Sequence, residues 1–304
     1  MAHKSLVGGT AYNIVGGTSM INGTAYNIKS GRTLVSGTGY DIKFTEDAYA
    51  MLYSDGDMIF QRGDDVAEGK TLTNSYTGFE DKRFSSGSAV PWNSNKSKIY
   101  NVSFQQEISP TSLSYWFNGA SNLNTFDDKN LNWTTITNMY FAYENCRNLI
   151  WSPVCGPNVI DMTRTYTNCY NFTGSPVCGP NVKRMVNTYM NCYNLTGSPV
   201  CGPNVDTMYH AYYRCNNLTG SPVCGPNVTD MYYTYGNCYN LTGSPVCGNN
   251  VTNMASTYYN CCNLTGSPAC GNNVTDMGYT YYNCYNLTGS PVCGDKVTIM
   301  TWTY

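Results

Sequence analysis

Cysteine is the residue type with the greatest chemical potential in this 304-residue sequence, which has fifteen cysteines and only two histidines. Fourteen of the cysteines form two series, and each series recurs along the chain with one constant 23-residue period. The first series is Cys146, Cys169, Cys192, Cys215, Cys238, Cys261 and Cys284, and the second is Cys155, Cys178, Cys201, Cys224, Cys247, Cys270 and Cys293. The gaps between successive cysteines of the two series, 9 and 14 residues, are too wide for the close ligand pairs of zinc sites. We therefore expect no metal site and no cofactor.

Two interpretations of these cysteines remain open. The two series could pair as disulfides, since fourteen is an even number, or each thiol could be a small buried apolar group. For the series that begins at Cys146 we favour the buried thiol, and for the series that begins at Cys155 both interpretations stand. A chain made in a reducing cytosol would start with free thiols.

No catalytic motif accompanies the cysteines. His3 and His210 are too few for histidine-based catalysis, and the sequence has no Ser-His-Asp set, phosphate-binding glycine loop or paired-carboxylate motif. The tripeptides Arg-Gly-Asp (62–64) and Asp-Gly-Asp (55–57) resemble an integrin motif and a calcium-binding turn, but hairpin turns explain both better. The sequence predicts a protein that is not an enzyme.

Charge and hydropathy exclude two further classes of function. The chain has 17 basic and 19 acidic side chains, which is not the basic balance that binds nucleic acid. No apolar run has the length of a membrane span, and no apolar stretch follows the first lysine. We expect neither nucleic-acid binding nor membrane insertion, and no signal peptide.

Other residue types share the 23-residue period, which marks an internal repeat. Methionine recurs from Met139 to Met300 and tyrosine from Tyr143 to Tyr304, and one complete repeat is LTGSPVCGPNVTDMYYTYGNCYN (218–240). Such a period predicts a solenoid with one coil per repeat. The recurring Leu or Phe, the two valines, Met, Tyr and Cys are predicted to point inward and to form ladders between stacked coils.

Three further expectations concern the rest of the repeat. The asparagine series that begins at Asn148 is predicted to form a ladder of hydrogen-bonded amides. The segment from Met to Cys is predicted to form a single helical turn, and the TGSP and CGPN segments to form corners. The last repeat reaches Tyr304 without a polar cap, so either another subunit covers its core edge or the natural chain continues.

The repeat motif M-x-x-x-Y-x-N-C-x-N-L, followed by a short strand and N-V-T-x-M, resembles the BspA-like leucine-rich repeats of bacterial surface proteins. The segments YAMLYSDGDMIFQRG (49–63) and KIYNVSFQQEISPTSLSYWFNGASNL (98–123) are similar to that family's non-repeat domain, and 113–123 to a degenerate first repeat. The resemblance covers about residues 48–304 and implies a leucine-rich repeat solenoid. Two features depart from the family: the repeats are slightly shorter, and they carry a second cysteine followed by Gly-Pro.

A different and shorter repeat occupies the N-terminus as GTAYNI (9–14), GTAYNI (23–28) and GTGYDI (37–42). Its alternation predicts strands, with turns at Gly16-Gly17 and Ser30-Gly31. A segment of this size buries little area alone, so we expect it to pack on a partner or on copies of itself. The GTxYxI motif is similar to the openings of phage and prophage tail or other virion proteins.

Positions that vary between otherwise identical repeats are the candidate binding positions. They are the two residues after Met and the residue after Tyr. A core does not tolerate such changes in volume, so these side chains are predicted to point outward and to form an aromatic strip. The candidate binding residues are Tyr209, His210, Tyr213, Tyr232, Tyr233, Tyr259, Tyr279, Tyr282 and Trp302. A second set could form another strip or stack for structural reasons: Tyr170, Tyr193, Tyr239 and Tyr285.

Together these observations predict a mainly β protein in three parts: a β-repeat attachment segment (1–44), a β-rich capping domain (45–107) and a leucine-rich repeat solenoid (108–304). We expect a non-catalytic virion protein, in a phage tail or surface fibre, that lies on virions and outside the cell after lysis. Its expected partners are a virion component or a second copy at 1–44 and a host-surface glycan or protein at the solenoid, with the chain forming homo-oligomers. A bacterial cell-surface adhesin and a purely structural decoration or assembly scaffold are the alternatives.

Overall fold

The computed structural model describes residues 47–289 and 294–302, together with the backbone of six strands within the first 46 residues. The chain divides into two compact units, 1–46 and 47–304, which are described separately. The strands and bridges below make the protein mainly β, as the sequence predicts.

The six strands described in the first unit form three antiparallel two-stranded sheets. They pair β1 (His3–Val7) with β2 (Thr10–Ile14), β3 (Thr18–Ile21) with β4 (Thr24–Asn27), and β5 (Thr33–Val35) with β6 (Thr38–Tyr40). The second strand of each sheet carries the recurring Thr-x-Tyr segment, so each N-terminal repeat contributes to one antiparallel strand pair. The turns predicted at Gly16-Gly17 and Ser30-Gly31 lie outside the described residues.

The second unit opens with a five-stranded mixed sheet in the order β11-β10-β8-β7-β9. Its strands are β7 (Ala48–Tyr53), β8 (Asp57–Arg62), β9 (Leu72–Tyr76), β10 (Asn101–Phe104) and β11 (Thr125–Asp127). Strands β7 and β8 form a tight hairpin, and β10 adds to β8 in parallel. Two short 3₁₀ helices, Gly87–Ala89 and Asn93–Lys98, connect β9 to β10.

A cluster of aromatic rings joins this sheet to the start of the repeats. Phe60 on β8 stacks on Trp116 with ring centroids 5.4 Å apart, and Trp92 meets Trp116 edge-on at the same distance. The indole N–H of Trp92 donates to the main-chain carbonyl of Trp116 at 2.7 Å. Offset and edge-on ring pairs add stability beyond the apolar area that they bury. The sheet and the first repeat therefore share one hydrophobic core.

Residues from 108 onward form what we call the repeat array, in which each repeat bonds to the next. Parallel one-residue bridges link the position before each Met, from Asn138 to Ile299, and Asn138 also bridges back to Ser112 in the first repeat. After each bridge, every second backbone N–H donates to a carbonyl of the following repeat, as from Met162, Arg164, Tyr166 and Asn168. The first of these bridges encloses a longer segment than the later ones, as expected for a degenerate first repeat. The backbone groups of this segment are thus paired between repeats rather than within a helix.

The segment from Met to Cys is not the helical turn that the sequence predicts. It consists of two consecutive β-turns, closed in one repeat by Thr165 N–H to Met162 O and Cys169 N–H to Tyr166 O. The third residue of each turn has a left-handed backbone, with φ of 54° at Arg164 and 62° at Asn168. With a left-handed residue in each turn, every second N–H of the segment donates to the following repeat, so bonding between repeats replaces the helical pattern.

Most of the predicted core columns are confirmed. The Leu or Phe, the second Val, Met, Tyr and Cys columns are fully buried along nearly the whole array. The prediction for the first Val is wrong, because Val154 and Val177 are only half-buried while the preceding Pro153 and Pro176 are buried. Proline has no N–H to satisfy, so this corner buries the imide ring and leaves the next residue free for polar bonding.

The hydroxyl groups of the buried tyrosine column form hydrogen bonds with the backbone N–H and carbonyl of the half-buried valine in that corner. Tyr235 Oη accepts from Val223 N–H at 3.1 Å and donates to Val223 O at 2.7 Å, and the same pair of bonds recurs at Tyr189, Tyr212 and Tyr258. The rings stack at 5.6 Å between Tyr212 and Tyr235. At the start of the column, Tyr143 Oη is buried without a partner. Each bonded phenol therefore closes a backbone gap in the corner that precedes it in the chain.

The predicted asparagine ladder exists, but three residues earlier than expected. Asn148 is exposed, whereas Asn168 Nδ2 donates to Asn145 Oδ1 at 2.8 Å and Asn191 Nδ2 to Asn168 Oδ1 at 2.7 Å. This column occupies the left-handed position of the second turn, a conformation that asparagine tolerates better than most residues. Arg214 interrupts the column, which leaves the buried Oδ1 of Asn191 without a partner.

All the array cysteines that the structure describes are free thiols, which decides between the two interpretations of the second series; Cys293 lies outside the described residues. In the first series the thiol donates to a main-chain carbonyl of the preceding repeat, for example Cys238 Sγ to Tyr212 O at 3.0 Å. Burial raises the pKa of Cys238 to about 12 and that of Cys178 to about 11. Cys238 and Cys178 are therefore protonated packing groups at neutral pH.

We expect the array cysteines to resist alkylation in the folded protein. At pH 8, iodoacetamide should label Cys238 and Cys215 at least about tenfold more slowly than in urea, because the thiolate is the nucleophile and burial suppresses it. Peptide mass spectrometry after timed quenching measures each site. The half-buried Cys262 lies outside both series and should be labelled first. Fast labelling of Cys238 in the folded chain would contradict the burial of this column.

Candidate functional site: the aromatic strip of the repeat array

The candidate binding residues occupy the two turns that follow each bridge. Tyr209 and His210 are the second and third residues of a first turn, and Tyr213 is the second residue of the next turn. We call the residues at these positions, in successive repeats, the aromatic strip. Most strip residues are half-buried, whereas Tyr279 and Trp302 are exposed by 41% and 65%. The neighbouring Met and Tyr side chains point into the core, so the strip and the core share one segment.

The structure brings five of the predicted residues into one cluster. His210 stacks on Tyr209 at 4.4 Å and on Tyr213 at 5.2 Å, and Tyr209 stacks on Tyr232 in the next repeat at 5.1 Å. The ring of Tyr233 stands perpendicular to this stack, at 90° to His210 and 87° to Tyr213. Tyr233 therefore differs in orientation from the stacked rings of this cluster.

Three more predicted residues extend the cluster toward the C-terminus. Tyr259 lies 6.0 Å from Tyr233 and stacks on Tyr282 at 5.2 Å, and Tyr279 meets Tyr282 at 66°. Trp302 is not part of this cluster, since it makes no ring contact with the other described aromatic residues. The strip therefore contains one continuous aromatic surface from Tyr209 to Tyr282.

His210 is electrically neutral at physiological pH. Burial lowers its pKa to about 4 from an ordinary 6.5, and its Nε2 atom is buried without a hydrogen-bond partner. Because protonation favours the unfolded chain between these two values, this group stabilises the fold fully above about pH 6.5 and loses that contribution as the pH falls toward 4. At neutral pH the histidine thus adds an aromatic face, and no positive charge, to the strip.

The strip residue at the third position of the first turn has a strained backbone in every repeat. Its φ is 52° at His210, 50° at Tyr233, 56° at Tyr279 and 49° at Trp302. This left-handed region suits glycine or asparagine and is unfavourable for bulky side chains, by about 1–2 kcal/mol per residue. Asparagine fills the equivalent position of the second turn in most repeats. The turn itself therefore does not require an aromatic residue at the third position of the first turn.

Two features of this surface were not predicted from the sequence. An earlier aromatic group starts the strip, in which Tyr115 stacks on Phe141 at 5.0 Å and Arg164 lies over the Phe141 ring at 5.1 Å. The half-buried Asp230 and Asp276 border the cluster at the bridge position before Met. Both positions vary between repeats, so the comparison that found the strip could also have found them.

An ion pair between the largely buried Glu144 and the partly exposed Arg164 lies beside that first group. Glu144 accepts from Asn118 Nδ2 at 2.7 Å and pairs with Arg164 at 3.2 Å. Burial raises the pKa of Glu144, while Arg164 and Asn118 oppose the rise. Farther along the strip, the pKa of Tyr232 is raised, mainly by burial. The neighbouring Tyr233 and Tyr209 and the charges of Asp276 and Asp230 add to this rise.

The described residues contain no group of three or more His, Cys, Asp or Glu that could hold a metal ion. In the same part of the chain no helix combines the length and the apolar character of a membrane span. Comparison with known proteins found no matching family model, no matching curated protein and no matching solved structure. The geometry of the strip therefore carries the functional argument alone.

Proposed function

We propose that this chain is a non-catalytic virion protein, of a phage tail or surface fibre, whose array binds a host surface through the aromatic strip. In this proposal the array is a BspA-like leucine-rich repeat solenoid, and residues 1–44 attach the chain to a virion component or a second copy. The protein acts on virions, outside the cell after lysis. The observation that carries the proposal is the continuous aromatic surface from Tyr209 to Tyr282.

The contrast between constant and variable positions supports this assignment. The core, the corner and the ladder positions repeat with little change, while the strip changes from repeat to repeat. Bulky residues in left-handed backbone at His210, Tyr233 and Tyr279 are not what stability alone favours. Tyrosine is common in binding surfaces because it offers large amphipathic area at low entropic cost.

The test is binding of the purified full chain to candidate host cells by flow cytometry. Replacing Tyr233 and Tyr279 together by glycine should reduce saturable binding at least about tenfold, as expected for the loss of two aromatic contact residues. Glycine suits the left-handed backbone at both positions, so these variants should fold without added strain.

A control pair separates binding from folding. The substitutions Thr229→Ala and Thr275→Ala alter exposed residues that directly precede the bridge residues in the repeats of Tyr233 and Tyr279, and should leave cell binding unchanged. Wild-type binding by the folded glycine variant would refute the recognition surface. A folded wild-type chain that binds no host cell but assembles on virions would favour structural decoration instead.

A further inference from the structure

Three aromatic rings in the repeats up to residue 214 already lie beside cations of this chain. Arg164 lies 5.1 Å from the Phe141 ring centroid, Arg214 lies 5.2 Å from Tyr213, and Arg147 lies 5.8 Å from Tyr170. A guanidinium over a ring face gains about 0.5–1 kcal/mol at an exposed site and more where water is excluded. This surface therefore suits cationic groups wherever the chain supplies them.

The following repeats supply the rings without the cations. From residue 215 to residue 295 the sequence has no lysine, arginine or histidine, and its charged residues are Asp230, Asp276 and Asp295. Among the described residues no cation lies over Tyr232, Tyr233, Tyr259, Tyr279 or Tyr282. The tyrosine rings of this part of the strip thus have only acidic charged residues in their own repeats.

Two of these carboxylates lie beside the rings and have no ion-pair partner in the described structure. Asp230 Oδ1 accepts from Tyr232 N–H at 2.9 Å, and Asp276 Oδ1 accepts from Gly278 N–H at 2.9 Å. In the first repeats, by contrast, Asp161 pairs with Arg184 at 2.8 Å and Glu144 with Arg164 at 3.2 Å. Within the described part of the chain, Glu144 and Asp161 near the N-terminal end of the strip are thus paired with arginines, whereas Asp230 and Asp276 toward its C-terminal end are not.

We infer that the strip between Tyr209 and Tyr282 binds an extended basic segment of a partner protein, with arginine or lysine side chains over the tyrosine rings and beside Asp230 and Asp276. This inference rests on the proposed host-binding function and names its ligand chemistry. The two aspartates are two repeats apart, roughly 10 Å at the usual spacing of paired strands. Every third residue of an extended chain recurs at about the same distance.

The test measures binding of a fluorescent peptide, Gly-Ser-Arg repeated four times, to the full chain by fluorescence anisotropy at near-physiological salt. Saturable binding is expected, with none for the matched Gly-Ser-Glu and Gly-Ser-Gln peptides. The double substitution Asp230→Asn with Asp276→Asn should weaken the Kd at least about tenfold. Replacing Tyr259 by leucine should weaken it severalfold, whereas Tyr259→Phe, which keeps the ring face, should not.

The control is Asp64→Asn with Asp65→Asn, which changes the net charge equally at exposed positions far along the chain from the strip. If the basic peptide does not bind, or if this control weakens binding as much as the strip variant, the inference is overturned. If host cells still bind through the strip in that case, the proposed recognition function survives and only its cationic ligand is refuted. If the peptide binds by the stated pattern but cells do not, the cation site stands and the host-binding function fails.

Discussion

Removal of the Tyr235 hydroxyl, by Tyr235→Phe, is expected to lower the free energy of unfolding by about 2–4 kcal/mol. The ring stays packed between Tyr212 and Tyr258 at 5.6 Å on each side. The loss comes from Val223, whose N–H and carbonyl both lose their phenol partner in a corner that the array partly buries. Urea denaturation followed by circular dichroism measures the change.

The chain offers a matched control for this prediction in its own tyrosine column. Tyr143 is equally buried, but its hydroxyl has no hydrogen-bond partner. Replacing Tyr143 by phenylalanine removes an unsatisfied polar atom, so stability should stay the same or rise. Equal destabilisation by the two substitutions would show that the phenol–corner bonds do not stabilise the array.

A second large loss of stability, about 2–5 kcal/mol in the free energy of unfolding, is expected for Gly220→Ala. The φ of Gly220 is +84°, and an added Cβ would lie 2.2 Å from Ser198 Oγ and 3.0 Å from Ser198 Cβ in the preceding repeat. The substitution therefore adds backbone strain and a clash between stacked corners. Because the same contact recurs at Gly197 and Gly243, the effect should be similar at those positions.

Gly119→Ala separates the two causes of that loss. Gly119 has nearly the same φ, +82°, but a Cβ there would have no atom within 4 Å. Only the backbone term remains, so the expected loss is about 1–2 kcal/mol. Thermal unfolding of both variants, followed by calorimetry, gives the comparison. If Gly119→Ala is as damaging as Gly220→Ala, the close approach between corners is not what requires glycine.

Much of the architecture follows from the 23-residue period. Identical residues at a fixed spacing can be buried together only if successive repeats stack, so the Met, Tyr and Cys columns were predictable as core. The variable positions were also predictable as a surface feature, since a packed core does not accept both glycine and tyrosine at one position. The structure joins all the candidate residues except Trp302 in one aromatic surface.

The errors share a cause in backbone geometry. Asn148 and Asn145 both recur with the repeat, and periodicity cannot tell which column faces its neighbour. The left-handed turns decide this, because they turn the Asn145 amide along the array and leave Asn148 in solvent. For the same reason the sequence pointed to a helical turn between Met and Cys, since propensity does not reveal the left-handed residue in each turn.

The sequence by itself determined the repeat, the composition of its core columns, the mainly β character and the strip of variable aromatic residues. Only the tertiary structure decided that the described cysteines are free buried thiols, that the tyrosine hydroxyls close the corners, and that two aspartates lie beside the rings unpaired. These depend on distances between atoms of different repeats. A sequence reports which residue types recur, whereas hydrogen bonds and ion pairs require the angles and separations that the stacked turns impose.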